Sequence, residues 1–349
     1  MHIPLRLPKT VGFGKSSVRI HTAINFLILT SCCSLLLINA FIAIITQINQ
    51  SLHRPRTQPQ NGCNGHPELC NRRYSDITQI GAHESAFVGI MPFDNQNFDV
   101  TVQLDAGIRF LQIQTRRNHF GQLALCHTHC LMENAGLLSD YLLSVREWLD
   151  HHPQEVVTLL LTTHDQFNMT AFDHAYTVSG AKHYAFTPPI VNHTVSFLPL
   201  SAWPTLGTLI SQNTRLITFM DYGAPDPVAA YILPEFTYFW ETPFDSTDPA
   251  SLRQCNMDRP RNLLRTEKNT QTAKTRGFNY IVNHFLDTEV GVVSIPDRRD
   301  AKRTNSWKGI GEHVRVCEGK WGRQPGVVLV DYFEQGEVIK AQNLLNGFE

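Results

Sequence analysis

The chain carries no basic stripe and no basic low-complexity arm. Its 30 Lys and Arg offset 31 Asp and Glu to a formal net charge of −1, so the electrostatic footprint of a nucleic-acid binder is missing. No repeat of roughly 20 to 50 residues recurs, which sets aside solenoids and propellers. No glycine-rich phosphate loop follows the first strand-like run, as a dinucleotide-type open sheet would need. The 17% charged and 42% hydrophobic residues are those of an ordinary globular protein. Acidic residues are also missing from the start of the chain, where Arg6, Lys9, Lys15 and Arg19 precede a run without charge.

That run, Ala23 to Ile45, reads AINFLILTSCCSLLLINAFIAII, with Asn25 and Asn39 as its only strongly polar residues. It is long enough for a membrane-spanning helix, which needs about 20 residues. The basic flank would stay cytoplasmic and send the rest of the chain across. The segments expected are a basic tail over 1–22, a signal anchor over 23–45, a polar, proline-containing linker over 46–62, and one domain over 63–349. A cleaved signal peptide is the alternative, with secretion as its consequence. In either case the domain faces an oxidising compartment. Outside the apolar run lie six cysteines: Cys63, Cys70, Cys126, Cys130, Cys255 and Cys317. Six allow fifteen pairings; local spacing favours Cys63–Cys70 and Cys126–Cys130, leaving Cys255–Cys317. CHTHC at 126–130 also has the donors of a metal site, but no second Cys/His cluster has zinc-ligand spacing. Asn168 and Asn192 begin glycosylation sequons.

From residue 63 onward short apolar runs alternate with helical stretches. Strand-like runs are ITQIGA (77–82), IRFLQIQ (108–114), QLALC (122–126), VVTLLLTT (156–163), RLITFMD (215–221), TYFWET (237–242), FNYIVNHF (278–285) and GVVLVDYF (326–333). Apolar residues at helical spacing occupy 137–155, 204–213 and 334–347. This alternation predicts a parallel sheet, and about eight strands predict a (β/α) TIM-like barrel rather than a doubly wound sheet. Barrel chemistry sits at the C-terminal strand ends. Those ends carry His83 and Glu84, Gln112 and Gln114, His127, Thr162 to Asp165, Asp221, Glu241, His284 and Asp331. In a closed barrel the first and last strands are neighbours, so Asp331 can reach His83. Two imidazoles across a cleft can move protons in both directions, each transfer being worth roughly 10²–10⁴ in rate. A carboxylate behind one of them fixes its tautomer.

Four stretches resemble the X domain of phosphatidylinositol-specific phospholipases C, in particular its fungal PLC-like phosphodiesterase branch: CNGHPELCNRRYSDITQIGAHESAFVG, LDAGIRFLQIQT, LCHTHCLMENAGLLSDYLLSVREWLDHHPQEVVTLLL and PGVVLVDYF. The resemblance spans about residues 63 to 345. It implies a distorted TIM barrel that cleaves a phosphodiester, with a phosphoinositide or related lipid as substrate. His83 then matches the general base, His127 the general acid and Asp331 the carboxylate supporting the base. Glu84 stands where bacterial members have an aspartate assisting the acid. The departure is at Gln112 and Gln114. Metal-free members have an arginine at position 114, and calcium-dependent members have carboxylates at both positions. This chain has neither set, so no calcium and no other cofactor is expected. Arg116 points to the same strand face as Gln112 and Gln114 and is the expected source of positive charge; Asp221 and His284 are expected to line the pocket. The competing readings are a barrel that binds without catalysis and a metal-dependent glycerophosphodiesterase or sphingomyelinase D, which would want carboxylates around a divalent ion.

Overall fold

The computed structural model describes residues 34–48, 50–51, 54–58, 61–163, 165, 168–191, 194–260, 277–291 and 293–348. The chain divides into two units, Met1–Leu52 and His53–Glu349. In the first unit residues 34–48 are helical and expose apolar side chains, Leu36 and Leu37 among them. Among the described residues no helix is long and apolar enough to cross a membrane. Residues 23–33 of the expected anchor lie outside the described residues.

In the second unit eight parallel strands follow one another in chain order around a barrel. They are β1 (Gln79–Ala82), β2 (Phe110–Arg117), β4 (Val157–Thr163), β7 (Leu216–Met220), β8 (Ile232–Pro234), β9 (Phe239–Glu241), β10 (Asn279–Asn283) and β13 (Val327–Val330). Each except β8 is hydrogen-bonded to the next, and β13 closes back onto β1, with Gln79 opposite Val327 and Ala82 opposite Val330. The seam is between β8 and β9, which end the hydrogen-bonded path and are joined by a single helical turn, Glu235–Tyr238. The expected TIM-like barrel is therefore present as an incompletely closed one.

Its strand list needs two corrections. QLALC forms β3 (Leu123–Leu125), an antiparallel hairpin partner of β2 outside the ring. The eighth barrel strand is β8, three residues ending in Pro234 and too short to stand out by periodicity. Two further hairpins pair β5 (Ile190–Val191) with β6 (Thr194–Val195) and β11 (Asp287–Val290) with β12 (Val293–Pro296).

Alternation along the strands divides the apolar residues into two layers. Leu111, Ile113, Leu159, Leu161, Val328 and Val330 pack outward with the helices. The helices include α1 (Val100–Asp105), α2 (Leu138–His151), α3 (Met169–Ser179), α7 (Trp307–Trp321) and α8 (Val338–Leu345); α4 to α6 are the shorter Leu206–Ser211, Glu235–Tyr238 and Ala301–Thr304. Both α3 and α7 begin at side-chain caps, Asn168 and Ser306, and end at left-handed glycines, Gly180 and Gly322. Phe110, Leu160, Phe219, Phe239, Ile281 and Leu329 point the other way and fill the barrel. Gly81 completes this inner layer: a Cβ there would lie 2.6 Å from Leu329 Cδ2 and 3.0 Å from Phe110 Cδ1, so a larger residue would push the Leu329 side chain aside beneath residue 83.

All three expected disulfides are present, Cys63–Cys70, Cys126–Cys130 and Cys255–Cys317. The expected linker is partly structured, since Gln58 donates its backbone N–H to the Asp105 carbonyl at 2.6 Å. Asn168 is exposed, with its Oδ1 capping α3 through Thr170 N at 3.0 Å; Asn192 lies outside the described residues.

Candidate active site

Two residues beyond each apolar residue of the inner layer, the same strand face turns polar. Gly81 leads to His83, Phe110 to Gln112 and Gln114, Leu160 to Thr162, Phe219 to Asp221, Phe239 to Glu241, Ile281 to Asn283 and Leu329 to Asp331. All but Asp331, which stands behind His83, line one open cleft of about 910 Å³ at the C-terminal end of the barrel. His127 and Arg116 reach it from the β2–β3 hairpin and the loop after it.

His83 is fixed from every side. Its Nδ1 lies 2.9 Å from Asp331 Oδ1, across the β1–β13 pairing that closes the barrel. Asn95 donates to the same Asp331 oxygen at 3.1 Å. Phe285 stacks on the imidazole with ring centroids 3.8 Å apart, and Gln96 donates to the His83 carbonyl at 2.7 Å. Asp331 accepts only, so Nδ1 carries the hydrogen and Nε2 faces the cleft. Burial pulls this imidazole down, but the charge and hydrogen bond of Asp331, with Glu84 and Asp287 behind, outweigh it and lift it to about 9.

The second imidazole sits in a different setting. His127 lies between the disulfide partners Cys126 and Cys130, on the loop leaving β3, and packs edge-on against Phe87 with centroids 5.2 Å apart. Burial, then the positive charges of His83 and Arg116, push it down to about 4. Glu84 is buried beside His83 and raised to about 7, chiefly by desolvation. It accepts from Gln114 N at 3.1 Å. Gln112 and Gln114 turn their side-chain carbonyls to the backbone, accepting from Glu84 N and Thr128 N at 2.7 Å each.

Two arginines line the cleft. Arg116 makes a 3.9 Å contact with Asp165, and its buried Nε has no hydrogen-bond partner among the described residues. Arg259 bridges Asp221 and Glu241 at 3.1 Å to each. Sequence reasoning missed Arg259, which arrives on the loop after β9 through backbone pairing with Glu241; no spacing signals that return. His284 needs correcting. It turns out of the barrel, buried between the Thr304 carbonyl at 2.9 Å and His313 at 3.0 Å, and its neighbours Asn283 and Phe285 line the cleft instead. Strand alternation alone would have separated them.

Calcium-dependent relatives are expected to hold the ion at the positions of Gln112 and Gln114, with Thr162 near a further ligand position. All three are neutral, and Gln112 donates to Thr162 Oγ1 at 3.2 Å. The two amide carbonyls are already engaged by Glu84 N and Thr128 N, and none of the three residues brings the carboxylate on which such a cation site draws. Among the described residues the one cluster of three metal-ligating side chains is Cys255, His313 and Cys317, and its sulfurs are bonded to each other.

Comparison with known proteins identifies the family of this incompletely closed parallel barrel with two histidines in its cleft. The PI-PLC X 1 family profile matches residues 69–346, and the chain belongs to that family. A PI-PLC X domain-containing protein 1 of Arthroderma benhamiae is 45% identical over 289 residues, covering 82% of this chain and 89% of that protein. An uncharacterized secreted protein of the same organism is 37% identical over 305 residues, covering 85% of this chain and 65% of that one. The phosphatidylinositol-specific phospholipase C of Listeria monocytogenes superposes with a TM-score of 0.54 at 15% identity, covering 83% of this chain and 100% of that one; this likeness is one of fold.

Proposed function

We propose that the cleft cleaves a phosphodiester of the phosphoinositide kind by proton transfer between His83 and His127, without a metal. The observation that carries this reading is the pair of imidazoles lining one cleft, one of them backed by a buried carboxylate at 2.9 Å. The cleft-facing nitrogen of His83 takes the proton of a hydroxyl adjacent to the phosphoester. That oxygen attacks phosphorus, and the bond to the lipid alcohol breaks as His127 delivers a proton to the leaving oxygen. The products are a cyclic phosphate and a diacylglycerol, and the two histidines have exchanged one proton. Arg116, whose Nε has no hydrogen-bond partner among the described residues, balances the charge on the phosphate oxygens.

In the resting cleft the shared proton favours His83. A phosphate anion beside His127 favours the charged imidazole there, so substrate itself draws the proton toward the acid. Such a pair titrates as a unit, and kcat/KM holds between about pH 4 and about 9 and falls outside. We place the protein in a secretory, oxidising setting, supported by its three disulfides; the apolar N-terminal run serves either as an anchor or as a cleaved leader.

The test is release of a cyclic inositol phosphate from phosphatidylinositol vesicles by the purified protein, with and without chelator. Chelator-resistant turnover that His83→Ala abolishes supports the reading. A folded protein that binds these vesicles but turns over no phosphodiester would make it a binding barrel, and recovery by added calcium would restore the metal-dependent reading.

A further inference from the structure

The two glutamines that replace the family's arginine and carboxylates repeat one device. Each histidine is followed by a residue in the left-handed region, Glu84 at φ 44 after His83 and Thr128 at φ 56 after His127. Neither is glycine, and Thr128 is β-branched, so both conformations are strained and need to be held. Each is held by one hydrogen bond from its backbone N–H to a glutamine side-chain carbonyl, Glu84 N to Gln112 Oε1 and Thr128 N to Gln114 Oε1, both at 2.7 Å. The two glutamines stand on adjacent inward positions of β2, a central barrel strand. Gln114 N in turn donates to Glu84 Oε2 at 3.1 Å, so the two turns share one hydrogen-bonded frame.

We propose that Gln112 and Gln114 are a matched pair of positioning residues, each locking the strained turn behind one histidine and thereby aiming that ring, instead of binding the phosphate. Arginine cannot serve at either place, because it offers no acceptor. The side-chain carbonyl of Gln114 is already committed to Thr128, so the charge at the phosphate comes from Arg116, two residues along the same strand face. This deepens the acid–base reading above and rests on it for the roles of the two rings.

The pair is separable by leaving group. Gln114→Leu frees the turn behind the acid, and Gln112→Leu the turn behind the base. A misplaced catalytic group costs on the order of 10²-fold. With a dialkyl inositol phosphodiester, both variants lose about 10²-fold in kcat at little-changed KM. With a nitrophenyl leaving group, which needs no proton, Gln114→Leu falls to within a few-fold of the parent, whereas Gln112→Leu keeps its defect. Gln114→Glu retains an acceptor and recovers most of the loss. Histidine NMR supplies a readout independent of turnover: the His127 ring signals move in Gln114→Leu and those of His83 in Gln112→Leu. Raised KM with intact kcat, a loss in Gln114→Leu that is equal on both esters, or unmoved ring signals in folded variants would each overturn the proposal. If the parent protein has no activity but the ring signals move selectively, the positioning roles stand and the acid–base reading falls.

Discussion

His83 and His127 face the same cleft from different kinds of scaffold. His83 ends a barrel strand at the place where the sheet closes on itself, with a carboxylate, two amide side chains and a stacked phenyl ring around it. His127 rides on a short loop tied by a disulfide and by one glutamine carbonyl, with an aromatic edge and positive charge nearby. One residue type thus lands at about 9 in one place and about 4 in the other. The difference teaches that burial alone does not set the proton affinity. Both rings are desolvated; at His83 the charge of Asp331 overturns the downward pull of burial, whereas at His127 burial leads and the positive charges of His83 and Arg116 add to it.

Removing either ring breaks the comparison most severely. His83→Ala and His127→Ala each lose about 10³-fold on a dialkyl phosphodiester, measured as kcat/KM, and only His127→Ala recovers on the nitrophenyl ester. Recovery of His83→Ala instead would exchange the two roles. Next in size is Arg116→Gln, expected to lower turnover about 10²-fold while the melting temperature stays within a few degrees; an equal loss of both would remove Arg116 from the chemistry. Asp331→Asn then sharpens the contrast. Without its carboxylate, burial governs His83, and the basic limb of kcat/KM moves down from about 9.

The smallest effect is on stability. His83 is raised above its unfolded value of 6.5, so its contribution is complete below that value and is lost as pH rises through about 9. Denaturant titrations over that window would show the decline, and Asp331→Asn would flatten it; identical slopes in the two proteins would contradict the coupling.

The pairing of His83 with Asp331 was legible because topology forces it: chain order around a barrel makes the first and last strands neighbours. The cysteine pairs were legible from local spacing and elimination. What sequence left out depends on loops that return. Asn95 comes back over β1 through hydrogen bonds to Phe87 and Tyr332, and Arg259 comes back to Glu241. Neither return has a periodicity. Gln112 and Gln114 were visible as departures from the family pattern, but their work became legible only with the positive φ angles of Glu84 and Thr128 in view. The false assignment of His284 had a remedy in hand, since Asn283 and Phe285 share the inward face and residue 284 cannot.

A pH titration of the histidine ring signals by NMR on the intact protein addresses the opposed pair directly. His83 is predicted to keep its proton up to about pH 9 and His127 to remain neutral down to about pH 4. Two rings titrating together near the ordinary imidazole value would contradict it.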